Sequence, residues 1–324
     1  MNETTPSIAI RTSKQRITQT DIEQLFEVIV DEARRDIAAA LEHADNPRRS
    51  PRPTDPRVAA VASAADGLPT RTRKALLAGR GALTDRRLRM PRRLTNLAAL
   101  ADVGRGPAAT QPHTQLRLRL RHIECVQDTR EPGKDEILVG GQSTMLTVSP
   151  DGLLGEPLDA GAVAPIALGK FKSGDERDLD LVVGRFSLNG AAPYPRIFNT
   201  TLVMIEKDLG DPAKLVKLLE SIQAVLEQKL IDKVQSFLEG LDGDDKFGAV
   251  IGLVVTLLPV AISALIGAVG KLVGDEVFRP FAAALSMQSP DALFPGGKTD
   301  SADDVAQFAD FGGTYRVGYD FALA

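Results

Sequence analysis

Paired carboxylates are the side chains of this sequence best suited to chemistry. Asp128 and Asp135 bracket the polar stretch TREPGK, Glu206 and Asp208 alternate at the end of LVMIEKD, and Asp303 and Asp304 precede the last extended segment, with Asp310 close behind. A hard cation such as Ca²⁺ takes six to eight oxygens from carboxylates and loop carbonyls, so acids gathered from several loops at one end of a fold could hold one. The same residues also suit turns, where Asp bonds its own backbone. Nucleophilic and acid–base chemistry has thinner support. The histidines are His43, His113 and His122, the single cysteine is Cys125, and no nucleophile elbow, HExxH helix or phosphate-cradling glycine loop accompanies them. The expectation is a protein that is not an enzyme. One cysteine excludes an internal disulfide, and the alternating flanks IECVQD make Cys125 a buried strand thiol rather than a reactive one.

The other conspicuous stretch, Phe247 to Gly270, carries no charge between Lys246 and Lys271. Its length suffices for a bilayer, which needs about 20 apolar residues as one helix. Pro259 lies at its middle, and a proline removes a backbone donor and clashes one turn back. The run is therefore expected as a helical hairpin bent at Pro259. Three uses fit it: a permanent anchor, a hairpin that inserts on demand, or a buried pair in a soluble fold. Phe247, Leu253, Leu257, Pro259, Ile262, Leu265 and Ile266 would meet lipid in the first two. Gly248/Gly252 and Gly270/Gly274 have the small-xxx-small spacing that lets helices approach closely.

The elements around these sites follow from periodicity. Thr20-Asp-Ile-Glu23 fits a capping box, and Ile22, Leu25, Phe26, Ile29, Ala33, Ile37, Ala40 and Leu41 form one helical stripe. Asn46 to Arg57, with four prolines, reads as a linker, and short helices are expected around 58–65, 70–77 and 94–102. From Gln115 the pattern changes: LRLRLRHIECV alternates with period two, and further strands are expected at 136–140, 143–148, 162–172, 179–188, 197–206 and 314–322. Asp211-Pro212 opens an amphipathic helix whose stripe runs from Leu215 to Leu238. The expected fold is α+β: an antiparallel β-sandwich over 115–208 and 291–324, interrupted by a helical hairpin or bundle over 209–290. An N-terminal amphipathic helix (1–45) and a basic segment of linker and short helices (46–114) precede it.

Charge is unevenly spread. Residues 1–114 hold 19 Lys/Arg against 13 Asp/Glu, and the rest 20 against 30. Between Arg48 and Arg93 there are 13 basic and 3 acidic residues, so Arg48, Arg49, Arg86, Arg87, Arg92 and Arg93 are candidates for contact with anionic lipid or a partner protein. The plainer reading is a solvated or acid-paired face. The chain has no Trp and 5% aromatics, so no stacking platform accompanies the arginines and nucleic acid is not the expected partner. The start, MNETTPSIAIRTSKQR, lacks the apolar core of a Sec signal, which leaves the cytoplasm or a non-classical export route as the expected location. Oligomeric state is open.

The strand LRLRLRHIECV followed by Asp128-TREPGK-Asp135 resembles the first calcium loop of a C2 domain. LVMIEKD is similar to the strand entering the third loop of that family, and Asp303-Asp304-Val to the acids leaving it. The resemblance covers roughly Gln115 to Asp208 and Asp303 to Ala324. It implies a C2-like sandwich, Ca²⁺ as cofactor, phospholipid docking, and Asp128, Asp135, Glu206, Asp208 and Asp304 as oxygen donors. The leading functional expectation is a non-enzymatic calcium-dependent binding protein acting at a membrane surface or on a partner. The alternatives are a toxin-like pore-former using the 247–270 run and a structural component of a larger assembly.

Overall fold

Alternation in LRLRLRHIECV is realised as a long strand with Leu116, Leu118, Leu120, Ile123 and Cys125 inward. The computed structural model describes residues 10–11, 16–85, 88, 90, 97–103, 112–129, 133–149, 151–206, 211–239, 246–273 and 277–324. In chain order the elements are β1 (Ile10–Arg11), β2 (Arg16–Ile17), α1 (Gln19–Asp45), α2 (Pro56–Asp66), α3 (Thr70–Asp85), β3 (Leu97–Val103), β4 (Gln115–Gln127), β5 (Asp135–Thr147), β6 (Leu158–Phe171), β7 (Glu176–Ser187), β8 (Arg196–Glu206), α4 (Pro212–Glu239), α5 (Lys246–Val273), β9 (Phe281–Met287), β10 (Asp304–Asp310) and β11 (Gly313–Leu323). The fold is α+β, as expected.

Two sheets pack face to face. One has the order β10-β11-β4-β7 and the other β3-β9-β8-β5-β6, antiparallel except for the parallel pair β3 and β9. The helices cover the second face of the five-stranded sheet: α4 and α5 lie on it, and α1, α2 and α3 pack on them. All eleven residues of β8 are buried, because it is central in its sheet and covered on both faces. Each side has its own apolar core, one between the sheets and one between sheet and helices.

Several elements depart from the sequence reading. The capping box sits two residues earlier, with Thr18 as N-cap: its Oγ1 accepts from Asp21 N, and the Asp21 carboxylate accepts from Thr18 N at 2.8 Å. Over 97–102 β3 stands in place of the helix expected at 94–102, whose first three residues lie outside the described set, since pairing with β9 overrides the helical preference of its Ala and Leu. β9 is a strand within the stretch assigned to the helical insertion. Its run FAAALSM is buried on both faces, so it shows no alternation.

The largest departure concerns Pro259. α5 runs unbroken through it, 28 residues or about 42 Å, so no hairpin bends there. An interior proline costs about 3 kcal/mol. Leu253, Leu257, Leu258, Ile262, Leu265 and Ile266 are each at most 1% exposed, and each fully buried aliphatic side chain contributes about 1.5–3 kcal/mol, so packing outweighs the lost bond several-fold. The hairpin of the insertion is formed instead by α4 and α5, whose outer ends return together where Val277 bridges Ile205.

Close approaches and buried polar contacts fix this layer. A methyl on Gly79 of α3 would lie 2.6 Å from Leu272 Cδ2 of α5, and one on Gly141 of β5 would lie 1.9 Å from the Thr201 carbonyl oxygen. Glu227 of α4, fully buried, accepts at 2.7 Å from both Thr144 Oγ1 of β5 and Gln223 Nε2. Lys229–Asp36 (2.8 Å) and Lys233–Glu32 (2.6 Å) join α4 to α1. Leu257→Ala should cost about 2–5 kcal/mol of unfolding free energy in a denaturant titration. A cost below about 0.5 kcal/mol, the size seen at surface positions, would contradict its place in the core.

Candidate functional site

The acidic end of the sandwich is built where β4 leaves one sheet and β5 enters the other. Asp135, at the start of β5, is buried and accepts from Thr129 N (2.8 Å), Thr129 Oγ1 (2.9 Å) and the hydroxyl of Tyr315 on β11 (2.5 Å). Its lone pairs are used to tie the two sheets together. Asp128 accepts from Ser173 Oγ at 2.5 Å. Glu206 pairs in register with Ile137, lies buried at the same end, and its Oε2 has no hydrogen-bond partner among the described residues. Asp304 is elsewhere. It pairs with Tyr319, which pairs with Leu120, so it lies about seven residues, roughly 23 Å, along β4 from Gln127. There it accepts from the Tyr319 hydroxyl at 2.9 Å. Because β10 runs antiparallel to β11, its last residue, Asp310, shares the end with Asp128. Asp208 lies outside the described residues.

Among the described residues no three His, Cys, Asp or Glu side chains gather as a metal site. Of the five expected donors, Asp128, Asp135 and Glu206 share one end, Asp135 there accepting three hydrogen bonds, while Asp304 lies at the far end. What the acidic end does hold is a hydrogen-bonded cluster of Asp135, Thr129 and Tyr315 beside Cys125. Burial pushes the Cys125 thiol up to about 11, with Asp135, Asp128 and Asp175 adding to the rise and the Tyr315 hydrogen bond opposing it. Burial and the bond to Asp135 also raise Tyr315.

The other candidate residues divide. Leu253, Leu257, Pro259, Ile262, Leu265 and Ile266 are all buried within the fold. The side chain of Phe247 lies outside the described set. By length and composition Gly248–Leu272 could cross a membrane, and most of it is covered by protein. Arg48 and Arg49 are exposed, while Arg86, Arg87, Arg92 and Arg93 lie outside the described residues. Elsewhere in the basic segment the acid-paired reading holds: Arg57 pairs with Glu156, Arg73 with Asp66 (2.8 Å) and Arg80 with Asp45 (3.1 Å). His122 faces Asp178 at 3.2 Å on an exposed surface.

A feature that sequence reasoning missed opens between β6 and β7, the adjoining end strands of the two sheets. A cavity of about 250 Å³ is lined there by residues 160–164, Ile166, Val182, Val183, Arg185 and, from β5, Ser143. It exists because Ala160, Gly161, Ala162 and Ala164 are too small to close the gap. The Ser143 hydroxyl is engaged with Thr200 Oγ1 at 3.0 Å. The run DAGAVAP was the available signal: in a strand, consecutive small residues leave unfilled space.

No family model, no curated protein and no solved structure matches this chain.

The Cys125 shift fixes a pH dependence. Its folded value lies above the ordinary 9.0, so between about pH 9 and 11 the unfolded chain loses a proton that the native state keeps. Stability should then fall as pH rises through that window. Denaturant midpoints at pH 8, 9, 10 and 11 should decline in the parent and decline less in Cys125→Ala. Parallel curves for the two proteins would contradict the shift.

Proposed function

We propose that this chain is a non-enzymatic binding protein. Its recognition site is the cleft between β6 and β7, and its helical layer is a brace for the sheet that carries one wall of that cleft. The observation behind this reading is the cleft itself, about 250 Å³ of mostly aliphatic surface with one guanidinium at its rim. Its described lining includes no carboxylate, imidazole or thiol. Ligand pockets generally combine an apolar body with a few placed polar groups. In this reading the sandwich keeps the architecture suggested by its C2 resemblance and works without calcium. α5 serves as the core helix of the brace, because releasing it would expose an apolar surface now shared with β9, β8, β3 and three helices.

The free edges of β6 and β7 are blunted against pairing with another strand. β6 carries Pro165 together with Gly161 and Gly169 at φ of +116° and +121°. Arg177 reaches over from β7 to the Leu168 carbonyl. Proline and irregular backbone are the usual protection of an exposed edge, which favours a small ligand seated in the cleft over an added strand.

A neutral apolar probe tests this. Titrating hexan-1-ol against the labelled protein should shift the methyl resonances of Ala162, Val163, Val182 and Val183 saturably, and Ala162→Leu, which fills the cleft, should abolish the shifts. Shifts scattered over the surface without saturation, or unchanged in Ala162→Leu, would rule the cleft out as the site.

A further inference from the structure

The outer face of the four-stranded sheet is laced with ion pairs. Arg119 bonds Asp320 and Asp300 (2.5 and 2.6 Å), Arg316 lies 3.5 Å from Glu124, and Arg121 lies 3.9 Å from Asp180. Two arginines break the pattern. Arg117 of β4 and Arg185 of β7 are direct partners in the register, so both side chains leave the sheet on the same face. Among the described residues neither has a carboxylate partner. Arg117 donates to Gln115 Oε1 at 2.7 Å, and Arg185 is exposed. Like charges directly opposite one another destabilise a sheet, and on this face every neighbouring arginine has been given an acid. Arg185 also lines the cleft between β6 and β7.

We infer that Arg117 and Arg185 form a head-group site for an anion whose aliphatic body occupies the adjoining cleft. The ligand class is a small free carboxylate or phosphate monoester with a short hydrocarbon chain. A guanidinium offers a planar fork of donors that matches both head groups, and two of them side by side can bind one anion from two directions. The anion would also relieve the repulsion between them. The inference rests on the cleft being the recognition site and adds the charge of what binds there.

Calorimetric titration of the full chain with hexanoate, hexyl phosphate and hexan-1-ol tests it. The two anions should bind at one site per chain, about tenfold or more tighter than the alcohol, as expected for charge-assisted hydrogen bonds, and more weakly as salt rises. The double variant Arg117→Gln/Arg185→Gln should bring the anions down to the affinity of the alcohol. Its melting temperature should be unchanged or raised, since a repulsive pair has been removed. Arg121→Gln, on the same face but paired with Asp180, should bind the anions like the parent. Equal binding of anions and alcohol, or an unaffected double variant, would overturn the head-group site and leave the cleft standing. Absence of binding by all three probes would overturn both. Association with phosphatidylserine vesicles, with neither hexyl anion bound, would overturn a free ligand in favour of a bilayer surface.

Discussion

The hydrogen-bonded pairing of β8 with β9 is the constraint on which the rest of this structure depends. The two strands are neighbours in the five-stranded sheet, with Arg196 opposite Met287 and Leu202 opposite Phe281, yet the whole of α4 and α5 lies between them in sequence. Beyond the ladder, Phe278 N bonds the Met204 carbonyl at 3.0 Å and Val277 bridges Ile205. Both ends of the helical excursion are thereby fixed at one point of the sheet. Two helices of about 42 Å each must go out and come back, and the face left open by the sandwich is where they can bury their apolar sides. An apolar run that in isolation meets the length requirement for a membrane span becomes the central helix of a protein core.

That placement has a polar counterpart. Thr144, Asn199 and Thr201 all lie buried within the five-stranded sheet, and Glu227 of α4, held by Gln223 of the same helix, accepts from Thr144. A buried carboxylate is costly unless hydrogen-bonded, so this seam admits one register of helix against sheet where aliphatic contacts alone would tolerate several. On the opposite side of the same sheet, the Tyr315 hydroxyl reaches Asp135 and joins the two sheets. Arg196, fully buried, donates to the carbonyls of Ser187, Leu188, Gly190 and Ala192 and holds the β7–β8 connection. The Tyr315–Asp135 bond thus ties the sheets at the acidic end, and Arg196 holds the opposite end, where it pairs with Thr147. β6 and β7 are joined near their turn, where Arg177 bonds the Leu168 carbonyl, and farther along the small residues of β6 leave the cleft.

The sequence was most legible where one face of an element meets water. The leucines of LRLRLR and the stripe of α1 landed inward as their periods required. Two other elements were not legible in the same way: FAAALSM of β9, buried on both faces, has no alternation, and LAALADV of β3 carries helix-forming residues into a parallel pairing that only its neighbour dictates. Pro259 was read by its local cost, whereas packing along 28 residues decided the outcome. Asp128, Asp135 and Glu206 lie at strand ends, where the sequence reading put them, but the grouping of the acids depends on strand direction. β10 begins with Asp304 far from Asp128 and ends with Asp310 near it. Arg117 and Arg185 lie 68 positions apart, and only the β4–β7 register makes them a pair.

Native-state hydrogen exchange of the α5 amides tests most directly whether this helix is a brace fixed by β8 and β9. Amides on either side of Pro259, from Leu253 to Ile266, should exchange only through global unfolding, with the same free energy and denaturant dependence as the amides of β8. Exchange of α5 through a separate, lower-energy opening while β8 stays protected would contradict it, and would mark the α4–α5 hairpin as a unit able to leave the sheet.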